Sequence, residues 1–229
     1  MTHSYVIRAH LSHAKETATS NIRRASKADL PEIVRIHERA FCQHFLSRMG
    51  SDFLIRYYEL VLTYHQGIAL IGETGGLING FVCGFVDPSE FYRLMRRRGH
   101  TFAVPAACAL LRHPSLLTGM ARGIRRIREA ASHSPTQSCE LSSIAVAPEV
   151  GHTGLGATLA QAFLAQAWSM NATIVRLYTD VNGNDVANAF YRKIGFREYR
   201  TFLQHKGRWM SEYVIARLGG TSVFEPHYE

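Results

Sequence analysis

Apolar and polar positions along the chain change period several times, and each change marks an element. Asn21 to Ala25 reads as a short strand, and Ser26 and Asp29 stand at capping-box spacing with Pro31 close behind, so a helix begins there. Ile33, Val34, Ile36 and Phe41 give that helix one apolar face, and Phe53, Leu54, Tyr57, Leu60 and Val61 repeat the pattern over Asp52 to Tyr64, with Gly50 ending a short turn between the two. Gly67 to Glu73 and Gly80 to Val86 are β-rich runs joined through Thr74, Gly75, Gly76 and Asn79, which predicts a hairpin. A helical, basic stretch runs from there to about residue 130, and Ser132 to Gln137 reads as a polar loop. Then come strand Glu140 to Val146, a glycine-bearing loop, helix Thr153 to Met170, strand Thr173 to Thr179, helix Asn184 to Lys193, and strands Phe196 to Gln204 and Arg208 to Ala216. This order is a βαβα unit closed by a hairpin and preceded by an antiparallel sheet, so the fold class is α/β with a mixed, mainly antiparallel central sheet flanked by helices. We expect one domain over residues 21–218, with a helical insertion at 88–138, a flexible lead-in at 1–20 and a tail at 219–229.

Composition narrows the picture. The longest unbroken apolar run, Phe102 to Leu111, is ten residues and contains Pro105, against the roughly 20 that a membrane-spanning helix needs. Four cysteines lie at 42, 83, 108 and 139, never closer than 25 residues, a spacing that offers neither a metal clip nor a disulfide framework and suits a reducing cytoplasm. None of the twelve histidines pairs at the spacing of a helical zinc site, so no metal is expected. The formal charge of +8 is concentrated: Ser89 to Glu129 holds nine arginines against Glu90 and Glu129, a net of +7. Such a block either solvates a helix face or attracts an anion. Within it Leu116, Leu117, Met120, Ile124 and Ile127 recur at helical spacing, with Arg122, Arg125 and Arg126 largely on the other side, so that stretch either packs on the core or lies on an anionic membrane surface.

The loop after the fourth predicted sheet strand carries the clearest chemistry. Pro148 stops strand pairing, and Gly151, Gly154 and Gly156 lead into an apolar-periodic helix whose first amides lack internal acceptors, a cradle for phosphate. It is not a P-loop, because Ala157 and Thr158 follow Gly156, and not a dinucleotide fingerprint, because position 159 is Leu. An EF-hand reading from Asp180 fails at Asp185 and Tyr191.

Gly151-His152-Thr153-Gly154-Leu155-Gly156, after a strand ending Val-x-Pro, resembles the acetyl-CoA loop of the GNAT superfamily of N-acetyltransferases, except that Gly151 replaces the usual Arg or Gln. Downstream, Asn184-x-x-Ala187-x-x-x-Tyr191-x-x-x-Gly195-Phe196 matches the second GNAT signature. The resemblance spans roughly Asn21 to Leu218 and leaves Ser89 to Gln137 outside the common core. It implies acetyl-CoA as cosubstrate, held by Ile144, Ala145, Val146, Gly151, His152, Thr153, Gly154, Leu155, Gly156, Ala157, Asn184 and Phe190, with His152, Thr153 or backbone amides standing in for the missing side chain. It also implies Glu140 as general base and Tyr191 as general acid, with the Val146 amide donating to the oxyanion from a bulged strand. Asp180 is the second candidate base. Strand alternation places Glu140, Ser142, Ile144 and Val146 on one face. Asn184 is expected to cap its helix.

The acceptor is expected to be a small-molecule primary amine. Phe41 to Gly50 and Phe53 to Tyr58 resemble GNAT proteins of bacterial surface-polysaccharide pathways, which suggests a nucleotide-linked amino sugar. Two alternatives stand beside it: a protein or peptide N-acetyltransferase, and a non-catalytic module docking on an anionic surface. The basic segment lacks the interleaved aromatics of single-strand binders, so nucleic acid is not an expected partner. Monomer and dimer are both open.

Overall fold

The computed structural model describes residues 21–42, 44–117, 120, 137–151, 153–204 and 207–217. Seven strands, β1 (Asn21–Arg24), β2 (Gly67–Thr74), β3 (Leu77–Val86), β4 (Ser138–Val146), β5 (Ile174–Asp180), β6 (Arg197–Gln204) and β7 (Arg208–Ala216), form one sheet in the order β1-β2-β3-β4-β5-β7-β6. All neighbours are antiparallel except β4 and β5. The β2–β3 hairpin turns on Gly75 and Gly76, at φ 61° and 77°, as a two-residue turn with both central residues at positive φ requires.

Helices α1 (Leu30–Ala40), α3 (Ser51–Thr63), α4 (Pro88–Arg97) and α5 (Gly99–Arg112) lie on one side of this sheet, with a single helical turn, α2 (Phe45–Arg48), between α1 and α3. Helix α6 (Leu155–Ser169) covers the other side, where the inner face of α7 (Asp185–Lys193) also packs. The two cores follow from strand alternation. Phe81, Cys83 and Phe85 of β3 meet Ile36, Leu54, Tyr58 and Phe91 on the first side, while Val82 and Val86 meet Leu159 and Phe163 on the second. The capping residues act as their spacing predicts: Asp29 accepts the Ser26 backbone N–H at 2.7 Å and is also held by Arg23.

Two departures from regular pairing shape the centre. Cys83 pairs with Ser143 but Gly84 pairs with Leu141, so Ser142 is an extra residue, a β-bulge. Gly84 makes room for it: a Cβ there would lie 2.0 Å from the Glu140 carbonyl oxygen. The bulge breaks the expected alternation. Glu140 and Ser142 reach side chains of the first core, whereas Ile144 and Val146 pack into the second, so the four residues do not share a face. The second departure is the β4–β5 pairing, which stops at Glu140 and Arg176. Beyond it β5 continues with β7 alone, out to Asp180 opposite Met210, and a notch opens between β4 and β5.

The connection from β3 to β4 is mainly helical over the described residues 88–112. Asp87 caps α4 by accepting from the Glu90 amide, and Phe102 of α5 packs on Phe53 of α3 with ring centroids 5.2 Å apart. Arg122, Ile124, Arg125, Arg126 and Ile127 lie outside the described residues, so the helix expected there is not described. Leu116 and Leu117, assigned to one stripe, part company: Leu116 is buried in a 3-10 turn and Leu117 is 62% exposed.

Candidate active site

The notch has two walls of different make. On the α6 side the wall is largely backbone. Ala147 donates its N–H to Asn79 across the β3 edge, and because amides alternate along a strand, the Val146 N–H points the other way, into the notch. By the same rule the Ala145 amide faces β3 and its side chain is buried in the first core, so Ala145 is the residue of this run turned away from the opening. The chain then makes a 3-10 turn (Pro148–Val150) and enters α6 through Gly154 at φ 86°, a conformation that β-branched residues avoid. The first α-helical bond runs from Thr158 N–H to Gly154 O, so the amides of Leu155, Gly156 and Ala157 precede it and carry the positive end of the helix dipole. Gly156 sits where β4 and α7 meet; a Cβ there would lie 3.6 Å from Val146 and 3.7 Å from Phe190. Leu155 turns inward to the second core.

Of the two side chains expected to stand in at Gly151, the Thr153 hydroxyl donates to the Val150 carbonyl at 2.9 Å. His152 lies outside the described residues. Among the described residues of this loop, the backbone amides at the start of α6 are the groups open to an anion. Asn184 does not cap α7 with its side chain as expected; its amide donates to Thr179 Oγ1 and ties the helix start to β5. The buried Asn188 reinforces this by donating to the Asp180 carbonyl at 3.0 Å. Tyr191 lies on the same side as α6, against Phe190, Phe196 and Tyr213, and burial pushes its phenol up to about 12.

The opposite wall is made of side chains drawn from distant parts of the sequence. Glu140 is buried at the last β4–β5 pair, where Tyr92 of α4 donates to its Oε1 at 2.7 Å. Next along β4, the Ser142 hydroxyl meets the Tyr57 hydroxyl, and Ser143 bonds Tyr58, which in turn meets His37 Nδ1 at 2.6 Å. Burial, with a smaller contribution from His44, holds His37 down at about 4. His44, from the turn after α1, feels both Asp180 and Arg208, although desolvation is the main cause of its lowered pKa. Asp180 itself is gripped by Arg208 through two N–H groups of one guanidinium. On the same face of β5, β7 and β6, the fully buried Glu212 is shared by Arg176 and Arg200 at 3.0 and 2.7 Å.

The two candidate bases are therefore in different circumstances: Glu140 faces a phenol, and Asp180 is committed to a cation. Tyr57, Tyr92, His44 and Arg208 were not legible as site residues. Tyr57 reads as core from its helical spacing, and nothing local in the sequence announces that Tyr92 reaches β4. Among the described residues no group of three or more His, Cys, Asp or Glu is arranged to hold a metal, and no helix is long and apolar enough to cross a membrane.

A mixed sheet split between two parallel strands, with the open N-terminus of a glycine-led helix at one lip and a buried carboxylate at the other, is an arrangement compatible with an acyltransferase of the CoA-dependent kind. The sequence matches the acetyltransferase (GNAT) family over residues 31–196, and the chain belongs to that family. Its solved structural neighbours agree in fold. A putative GNAT acetyltransferase from Desulfovibrio desulfuricans superposes with a TM-score of 0.59 at 14% identity, covering 86% of this chain and 99% of its own. A putative acetyltransferase from Salmonella typhimurium, solved with its cofactor acetyl-CoA, gives 0.57 at 15% identity, with 91% and 98% covered. The ribosomal-protein-S18-alanine N-acetyltransferase of Escherichia coli gives 0.55 at 13% identity, with 90% and 100% covered. No curated protein matches the chain in sequence. The protein is thus an acetyltransferase that uses acetyl-CoA, and the glycine-lined amides at the start of α6 and the open β4 edge fit that cosubstrate.

Proposed function

We propose that the protein transfers the acetyl group of acetyl-CoA to the primary amine of a small molecule, with Glu140 as base and Tyr191 as acid. The observation that carries this reading is the notch itself, with Glu140 at the point where β5 leaves β4 and the Val146 amide directed into the gap. Acetyl-CoA supplies a thioester carbonyl. Around it the Val146 N–H offers a donor for negative charge developing on the carbonyl oxygen, while the amides of Leu155, Gly156 and Ala157 hold the pyrophosphate. An alkylamine is mostly protonated at neutral pH, and Glu140 takes its proton, directly or through one water. Tyr191, a phenol with its pKa raised to about 12, keeps its proton until the leaving thiolate needs one. Asp180 stands second as base because Arg208 occupies both its oxygens.

For the acceptor we favour an amine that also carries phosphate, such as a nucleotide-linked amino sugar. Arg200 and Arg208, with side chains 58% and 44% exposed on the β5–β7–β6 face, support it. The four free cysteines, Cys42, Cys83, Cys108 and Cys139, suit a cytoplasmic setting. The test is thiol release from acetyl-CoA against a panel of nucleotide-linked amino sugars, polyamines and peptides. Turnover with the sugars supports the proposal, and turnover confined to peptide N-termini moves the protein to the protein-acetylating class.

A further inference from the structure

We propose that helix α5 docks the enzyme on an anionic phospholipid membrane. This helix buries Phe102, Ala106 and Ala109 against the core. At 100° per residue, Val104, Ala107, Cys108 and Leu111 fall on the diametrically opposite side, and all four are exposed. Val104 is 73% and Leu111 84% exposed, and Leu117, just beyond the helix, is 62% exposed. A globular surface seldom lines up large apolar side chains in this way without something to cover them.

Charge says what covers them. Arg96, Arg97 and Arg98 stand at the N-terminal end of α5 and Arg112 at its last residue, and the helix has no acidic residue. At that same N-terminal end, Arg93, Arg97 and Arg98 line an open cavity of about 420 Å³ with Thr63, Tyr64, His65, Glu90 and Leu94. None of these three guanidinium groups has a carboxylate within ion-pair distance among the described residues. An apolar stripe ending in arginines whose charge no carboxylate offsets, Arg93 and Arg98 bonding only Ser89 and Thr63, matches the interface of an anionic bilayer, where acyl chains take the stripe and headgroup phosphates the guanidiniums. A second copy of the chain would bring like charges together, since pairing α5 with itself opposes arginines to arginines.

The experiment is co-sedimentation of the full chain with vesicles of equimolar phosphatidylcholine and phosphatidylglycerol, beside vesicles of phosphatidylcholine alone, at low and raised salt. The expected result is binding to the mixed vesicles only, weakened by salt. Replacing Val104→Asp and Leu111→Asp together should weaken it by about tenfold or more, with melting temperature and thiol release in solution unchanged. Arg97→Gln with Arg98→Gln should weaken it independently. The proposal is overturned if the wild-type chain ignores the mixed vesicles, if both variants bind as it does, or if the stripe instead holds a dimer that the Asp substitutions dissociate.

Discussion

The two walls of the notch reach the same task by different means. The α6 wall is local: Val146, Gly154, Gly156 and the amides between them lie within a dozen residues, and what they offer is backbone. The opposite wall is assembled from α1, α3, α4, β4, β5 and β7, and what it offers is side chains that bond one another: Tyr92 with Glu140, Tyr57 with Ser142, and Tyr58 with His37. A CoA pyrophosphate is common to every reaction of such an enzyme, so a short, glycine-dependent motif can serve it. The acceptor differs from enzyme to enzyme, and a wall of independently replaceable side chains can be changed one residue at a time.

Substitutions on the two walls should therefore fail differently. The largest effect is expected for Tyr191→Phe, which removes the acid and should lower kcat by roughly 10- to 1000-fold with acetyl-CoA affinity little changed. Single-turnover kinetics beside calorimetric titration separates the two quantities, and intact turnover would reduce Tyr191 to a packing residue. Glu140→Gln should cost roughly 100-fold at low pH, where deprotonating the amine is hardest, and the deficit should shrink as pH rises toward the amine's own pKa near ~10. A pH-independent deficit in kcat/KM would assign Glu140 to binding the acceptor.

The side-chain wall also carries a stability signature at acid pH. His37 is held at about 4 when folded, against an ordinary value of 6.5, so the unfolded chain takes up the proton first. Stability is complete above about pH 6.5 and is lost as pH falls toward 4, by up to about 3 kcal/mol. Urea midpoints at neutral and acid pH should show this loss, and His37→Gln should flatten it. The smallest effect is expected on the other wall. Gly154→Val forces a β-branched residue to a positive φ at a cost of about 1–2 kcal/mol, so the loop shifts and acetyl-CoA binds about tenfold more weakly with secondary structure retained. Unchanged affinity would place the phosphates away from this loop.

Most of the fold was legible in the sequence because each element carries its own signal. The capping pair Ser26 and Asp29, the Gly75-Gly76 turn and the β-rich run of β3 are local statements, and the structure follows them, with β3 starting three residues early, at Leu77. The strand order was not read, but the parallel β4–β5 pair follows from the helix that separates them. The alternation along β4 was misread because a bulge has no local signature: Ser142 looks like any strand residue until Gly84, on another strand, leaves room for the Glu140 carbonyl. Asn184 stands at the N-cap position as read, but its side chain bonds Thr179 rather than the helix, a choice the sequence does not show.

What the sequence determined by itself was the class of chemistry, since the phosphate cradle and the two motifs around it depend on residues a few positions apart on one strand, loop and helix. Only the tertiary structure sets the two candidate carboxylates in different surroundings. The family resemblance ranks Glu140 before Asp180, and each lies near an end of its strand; their surroundings differ because α4 brings Tyr92 to the first and β7 brings Arg208 to the second. Such contacts join residues 48 and 28 positions apart, and no periodicity reports a partner that arrives from another element.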